Sequence, residues 1–295
     1  MCIRDRHYGY VWLVLDNGVY VSSRFLDQIQ ESTAYINAII KDKPDIAIVL
    51  GTGLGNLVKQ IDVEHIISYE DIPHFPQVTV KGHKGQLVYG SLNGKKVIAQ
   101  NGRYHYYEGY TMKEVTLPIR VFKFLGAQHL IIASAVGGIH EDYEAGDITV
   151  VNDHINLHYD NPLLGHNDER LGPRFPDMTD AYEPSMIKLC HEIADEHSIT
   201  LHDSVYGGLP GPNLETKAEY NYLHIIGATV VGMSTIPEIL VARHMELSSC
   251  VLTAVTNKCF PISAIKKVTH QEVIDVAEQV EQKITPLVSE LIKRL

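Results

Sequence analysis

From Leu26 onward, short apolar runs alternate with segments of helical spacing, and that order restricts the chain to few architectures. Ile46 to Leu50, Lys96 to Gln100, His129 to Ala135, Asp147 to Asn152, Ser204 to Leu209, Thr229 to Ser234 and Cys250 to Thr256 read as strands. Most are continuously apolar rather than alternating, which predicts a sheet covered on both faces. Between them, Met186, Leu189, Cys190 and Ile193 keep helical spacing, and a longer stripe runs from Val273 through Val276, Val280, Ile284 and Leu287 to Leu291. Thr269 and Glu272 stand at capping-box spacing before that stripe, with Val268 and Val273 as a hydrophobic staple. Pro286 is expected to kink or split the helix. The expected fold is α/β: a single domain over residues 25–295 with a central mixed, mainly parallel β-sheet flanked by helices. Ligands in such folds gather at the carboxyl ends of strands. Residues 1–24 have no period that joins the rest of the chain, and read as an N-terminal extension outside the fold.

Length and charge limit what the domain can serve. With 295 residues and 45% apolar content, the chain can bury a full core. A net charge of −11 argues against nucleic-acid or membrane-surface partners, whose affinity comes largely from clustered Lys and Arg. It also means that any anion must be held by local geometry. Cys2, Cys190, Cys250 and Cys259 lie far apart with no Cys-x-x-Cys pair, so neither a disulfide framework nor a zinc knuckle is indicated. No apolar stretch reaches the length of a membrane span, and a reducing cytoplasm is the expected setting.

Two glycine-bracketed segments together outline an anion cage. Gly51-Thr52-Gly53-Leu54-Gly55-Asn56 follows an apolar run, so its small residues can expose backbone N–H groups and a hydroxyl. Gly102-Arg103-Tyr104-His105-Tyr106-Tyr107-Glu108-Gly109 adds a guanidinium and an imidazole two residues apart, with tyrosines to wall off a pocket. Glu108 is positioned to hold Arg103 in place. Asn56 occupies the position of the third glycine of a dinucleotide fingerprint, so a Rossmann site is disfavoured, and no P-loop spacing occurs. His191-Glu192 with His197 misses zinc-protease spacing, and no metal site is expected. Each of the remaining segments also admits a structural reading. His83 reads as a turn residue, Glu215 as a helix N-terminal acid, Ser234 or Thr235 as an N-cap with Glu238 in the first turn, and Asn257 as a turn former after its strand.

Together these strand ends carry more weight than any of them alone. Over nearly all of residues 27–295 the chain resembles the trimeric purine nucleoside phosphorylases that prefer 6-oxopurines. The matching stretches include Gly51 to Gly55, Gly102 to His105, Tyr107 to Tyr110, Asp153 to Leu157, Asn167 to Arg170, Arg174 to Pro176, Gly211-Pro212 with Leu214 to Thr216, Val231 to Thr235, Thr256 to Lys258 and His270. The resemblance implies phosphate binding by Thr52, His83, Arg103, His105, the backbone at Ala135, and Ser234. It implies ribose contacts from Tyr107, Met233 and His270, with Phe175 reaching the active site of a neighbouring subunit in a homotrimer. Glu215, Asn257 and Leu214 would meet the purine, and Asn257, His105 and Glu108 would carry catalysis. No cofactor is implied, since inorganic phosphate is a co-substrate.

The purine pair makes chemical sense. A 6-oxopurine carries a proton on N1 that a Glu215 carboxylate can accept and an oxygen at position 6 to which the Asn257 amide can donate. Adenine offers a bare N1 to the carboxylate, leaving acceptors unpaired, and a dry site can reject such a substrate by roughly 10⁴-fold. The expected reaction is reversible phosphorolysis of inosine, guanosine and their deoxy forms in purine salvage. A methylthioadenosine phosphorylase, a nucleoside hydrolase and a non-catalytic purine sensor are the alternatives; the hydrolase is weakened because the chain has no Asp-x-Asp for a calcium cluster. Two departures from the family pattern stand beside the base: Val136, bulkier than usual, and Leu214, where an aromatic often stacks.

Overall fold

The structure is a computed structural model and describes residues 2–4, 10–15, 18–51, 55–80 and 84–295. Strands β1 (Cys2–Arg4), β2 (Tyr10–Leu15) and β3 (Gly18–Ser23) pair antiparallel with one another. Among the described residues this small sheet has no ladder to the main one. Helix α1 (Arg24–Asn37) then leads into the domain.

A nine-stranded sheet forms the centre. Its strands are β4 (Ile46–Leu50), β5 (Asp62–Ser68), β6 (Gln86–Leu92), β7 (Lys95–Asn101), β8 (His129–Gly138), β9 (Ile148–Asn156), β10 (Leu201–Gly208), β11 (Val230–Gly232) and β12 (Ser248–Lys258). The order is β11-β10-β9-β12-β8-β4-β7-β6-β5, with parallel and antiparallel neighbours mixed. The far end of β8 also pairs with β11, Gly138 opposite Val230 and Gly137 opposite Val231, so β8, β12, β9, β10 and β11 close into a ring.

Why the central strands are continuously apolar is visible in β4. Ala47 and Val49 enter the core shared with α1, α2 (Met112–Leu125) and α5 (Ile236–His244). Ile46, Ile48 and Leu50 point to the opposite core, beneath α3 (Pro184–Glu196) and α6 (His270–Arg294). With both faces dry, no position is left for a polar residue. The remaining helix, α4 (Lys217–Ile225), packs outside the ring. Among the described residues no helix is long and apolar enough to cross a membrane.

The elements differ from expectation in three places. Helix α6 is not split: it runs unbroken through Pro286. Pro286 and Gln282, the residue whose carbonyl loses its partner, are both exposed, so water can satisfy that carbonyl. Strands β5 and β6 carried no apolar run long enough to be read; β5 is an edge strand, with only Ile67 buried. Finally, β8, β9 and β12 extend beyond their expected ends, so Asn257 lies inside a strand rather than in a turn after it.

The topology leaves an opening at one place. β4 pairs with β8 only as far as Leu50 opposite Ala133, whereas β8 continues to Gly138 beside β12. Where the two strands part, the Gly51 N–H donates to the Ala133 carbonyl at 2.9 Å. A Cβ at Gly51 would stand 2.8 Å from that carbonyl oxygen, so only glycine permits the approach.

Candidate active site

A cavity of about 430 Å³ opens at this divergence. Gly51, Ala135, Val136, Arg103, Ser234, Glu215 and Asn257 all line it, so residues from several separate chain segments meet in one space. Apolar walls are supplied by Val80, Val231, Met233, Leu214 and Val273 of α6.

One group of polar residues in it is cationic. Arg103 follows β7 and is only 1% exposed. Its Nε donates to Glu238 Oε1 at 3.2 Å and its second terminal nitrogen pairs with Glu238 Oε2, so the guanidinium is gripped side-on. Glu238, in the first turn of α5, is buried as well and accepts the Thr235 N–H at 3.0 Å. The expectation that Glu108 holds Arg103 is therefore corrected: a carboxylate 135 residues away does so. A buried guanidinium needs such a partner, since an uncompensated charge there costs several kcal/mol, about 3–5.

Glu108 instead serves His105. Its Oε1 accepts both the His105 backbone N–H at 2.8 Å and the ring Nδ1 at 2.9 Å, and its Oε2 accepts from the Thr79 N–H and hydroxyl. Burial raises the Glu108 carboxyl, but the hydrogen bonds from His105 and Thr79 outweigh it and hold the group down at about 2. Burial pushes the His105 imidazole below its ordinary value, with Glu108 opposing. At neutral pH the pair is a neutral imidazole on an ionised carboxylate, which assigns the proton to Nδ1 and makes Nε2 the accepting nitrogen. Tyr107 stacks on the imidazole at 4.7 Å and lines the cavity. Ser134 and Ser234 bring their hydroxyls to 3.4 Å from each other on the same wall.

The second polar group is organised around β12. The β8–β12 ladder slips between Val255 and Asn257, a bulge that re-aims the Asn257 side chain. Thr256 Oγ1 lies 3.0 Å from Asn257 Oδ1 and 3.1 Å from the Val136 carbonyl, and Asn257 Nδ2 donates to Cys259 Sγ at 3.0 Å. Glu215 precedes Thr216, the true N-cap of α4, so it is free of the capping role that Glu219 fills. Burial raises the Glu215 carboxyl above its usual range, opposed by hydrogen bonds that include one from Tyr220.

The structure thus brings Arg103, His105, Tyr107, Ala135, Leu214, Glu215, Met233, Ser234 and Asn257 to one cavity. Glu108 stands behind His105. Thr52, His83 and the side chain of His270 lie outside the described residues. Phe175 does not line the cavity; it is 87% exposed, with the Arg174 guanidinium 5.5 Å from its ring centre. Leu214 is half out of the cavity, at 51% exposure. Sequence reasoning missed Ser134, Tyr220 and the grip of Glu238 on Arg103. For Glu238 a signal existed, the Thr235-to-Glu238 capping spacing, but burial turned a helix-end acid into a counter-ion. Among the described residues no three His, Cys, Asp or Glu side chains gather as metal ligands.

Residues 45–293 match the model of the Phosphorylase superfamily. Purine nucleoside phosphorylase 1 of Bacillus subtilis (strain 168) is 41% identical over 266 residues, covering 90% of this chain and 98% of that protein. Purine nucleoside phosphorylase of Bos taurus is 40% identical over 269 residues, covering 89% and 93%. Among solved structures, isoform 2 of the Schistosoma mansoni purine nucleoside phosphorylase, in complex with cytosine and ribose-1-phosphate, superposes with a TM-score of 0.87 at 36% identity, covering 91% of this chain and 96% of that one. The Schistosoma mansoni enzyme in complex with inosine gives 0.86 at 34% identity, covering 92% and 97%.

Proposed function

The chain belongs to the Phosphorylase superfamily, and on that premise we propose how its cavity performs the phosphorolysis of purine nucleosides. The reaction needs no cofactor, and inorganic phosphate is the co-substrate. The observation that carries the reading is that Arg103 and Ser234 share one cavity with Glu215 and Asn257.

Phosphate is held by Arg103, by the Ser234 hydroxyl and the backbone at Ala135, and by Thr52 and His83. With its proton on Nδ1, His105 offers Nε2 as an acceptor for the hydroxyl of a monoprotonated phosphate, so the attacking oxygens stay unprotonated. Glu238 grips Arg103 side-on and partly neutralises it beside the phosphate. Tyr107, Met233 and His270 surround the ribose. Glu215 accepts the N1 proton of a 6-oxopurine while Asn257 faces the O6 and N7 edge, which makes inosine and guanosine, with their deoxy forms, the substrates.

In the chemical step a phosphate oxygen approaches C1′ from the face opposite the base. The C1′–N9 bond lengthens, its electron pair passes to the purine, and positive charge collects on the ribose between two anions. Asn257 stabilises the charge growing on the base because its hydrogen bonds strengthen as N7 and O6 become more negative. The C1′–O bond to phosphate then closes, leaving ribose 1-phosphate and a purine anion that takes the proton brought in by the monoprotonated phosphate to become the free base. We further assign the active unit to a homotrimer in the cytoplasm. The 87% exposure of Phe175 in a single chain supports its seat in a neighbour's ribose pocket.

The test is base release from inosine, adenosine and methylthioadenosine, each with and without phosphate. Release of hypoxanthine from inosine that requires phosphate, with adenosine and methylthioadenosine on the order of 10⁴-fold poorer, is the expected result. Release without phosphate would mean hydrolysis, a preference for methylthioadenosine would reassign the substrate, and tight binding with no release would mean a sensor.

A further inference from the structure

Phe175 is the most exposed of the large apolar side chains, yet the backbone on either side of it is tied down. Just before it, Gly172 crosses the end of α5 so closely that a Cβ there would stand 1.9 Å from the His244 carbonyl oxygen, and its φ of +141° favours glycine. His244 Nε2 lies 3.0 Å from the Pro173 carbonyl, and just after Phe175 the Asp177 carbonyl accepts from Arg243 Nε at 3.0 Å. The preceding limb of the loop closes on the same segment. Asn167 Nδ2 donates to the Gly172 carbonyl at 3.0 Å, and Arg174 Nη1 donates to the carbonyls of Leu163 and Gly165 at 3.2 and 3.0 Å. Arg243 and His244 are the last two residues of α5, and every residue of that helix except Arg243 is buried. The loop therefore rests on an element with little freedom to move.

Resting on the reading of Phe175 as a contact in a neighbour's ribose pocket, we propose that Arg243 and His244 are positioning residues for nucleoside binding: they fix the loop of Phe175 on the end of α5, so that its ring is presented preformed to the neighbouring subunit.

The His244 side chain has a direction. Arg120 can only donate, so His244 Nδ1, 3.4 Å from Arg120 Nη1, is the accepting nitrogen, and the ring proton sits on Nε2, where the Pro173 carbonyl requires a donor. Burial, with the Arg120 charge adding to it, pushes the imidazole below its ordinary value, and the Pro173 carbonyl opposes. The neutral ring is the form that suits both neighbours. An exposed phenylalanine on an untied loop would surrender backbone freedom on entering a pocket, and that loss would be taken from nucleoside affinity. Fixing the loop in the single chain removes the loss beforehand. The phosphate side of the site is separate, because Glu238, which grips Arg103, lies six residues before His244, about 9 Å along the helix.

The experiment measures KM for inosine and for phosphate, each at saturating co-substrate, in the full chain, in Phe175→Ala, His244→Leu and Arg243→Met, and in the latter two combined with Phe175→Ala. Phe175→Ala should raise KM for inosine by about tenfold, His244→Leu by about fivefold and Arg243→Met by about threefold, while KM for phosphate stays within about twofold in His244→Leu and Arg243→Met. Beside Phe175→Ala, His244→Leu and Arg243→Met should each add less than about twofold, because no ring is left to place. A merely structural role in α5 would raise KM for inosine as much beside Phe175→Ala as in the full chain. Unchanged KM for inosine in both His244→Leu and Arg243→Met, or increases that persist in full beside Phe175→Ala, would overturn the proposal. If His244→Leu does not fold, Arg243→Met decides alone, since Arg243 is the one residue of α5 that is not buried. Unchanged KM for inosine in Phe175→Ala would overturn the reading of Phe175 itself, a result distinct from a raised KM there with none in the α5 variants.

Discussion

Two carboxylates, Glu108 and Glu238, stand behind Arg103 and His105 and divide the work between them. Glu238 gives a buried Arg103 its counter-charge, and Glu108 gives His105 its tautomer. Neither role is written in local sequence. Glu108 lies five residues from Arg103 and three from His105, and only coordinates decide between the two. The carboxyl of Glu108 is held down at about 2 from an ordinary 4.5, with hydrogen bonds from His105 and Thr79 overcoming the opposing effect of burial. A depressed carboxylate contributes stability that is fully present above its unfolded value near 4.5 and is lost as pH falls through about 2. Glu108→Gln should therefore be less stable at neutral pH and lose less on acidification over that window, read as unfolding midpoints across pH. The glutamine has donors waiting at both ends and can accept at only one, so KM for phosphate should also rise by about tenfold. A variant with an unchanged KM for phosphate and an unchanged acid limb would show that Glu108 has no hold on His105.

Among the elements, strand ends position the chemistry and helix starts supply the anchors. β8 outruns β4, β12 slips its register before Asn257, and β11 leads through Ser234 into α5. Each of these is a departure from regular pairing, and each faces the cavity. Such departures carry no hydrophobic signal, which is why β8 and β12 appeared shorter in the sequence than they are. Gly51 shows how narrow the tolerance is. In Gly51→Ala the new Cβ would meet Ala133 oxygen at 2.8 Å and Ser134 Cα at 3.3 Å, both backbone atoms of β8 that have little freedom to move. The variant should lose about 1–3 kcal/mol in urea unfolding, and its KM for phosphate should rise because the β4–β8 opening is pushed apart. Wild-type stability and phosphate affinity in this variant would show the turn to be looser than its contacts indicate.

For the whole molecule, the nine-stranded sheet and its two helical layers account for residues 25 onward, while β1, β2 and β3 keep a sheet of their own. A chain that starts at Phe25 should retain turnover on inosine and sediment as the same assembly as the 295-residue chain. Loss of folding would make residues 1–24 part of the domain, and a monomer with full activity would remove the role assigned to Phe175. The exposed Phe175, with the Arg174 guanidinium beside its ring, belongs to this scale.

What the sequence determined by itself was the class of fold and the cast of the site. Continuous apolar strands admit only a sheet dry on both faces, as β4 shows by sending Ala47 and Val49 to one core and Ile46, Ile48 and Leu50 to the other. Arg103, His105, Glu215, Ser234 and Asn257 were legible because unusual polar residues recur where such strands end. Which carboxylate serves Arg103 and which His105, that α6 passes Pro286 unbroken, and that the Asn257 amide donates to Cys259 were decided by tertiary structure alone. The physical reason is that burial and hydrogen-bond direction are properties of neighbours in space. Residues 103 and 238 acquire their meaning only when the sheet closes and leaves both charges without water.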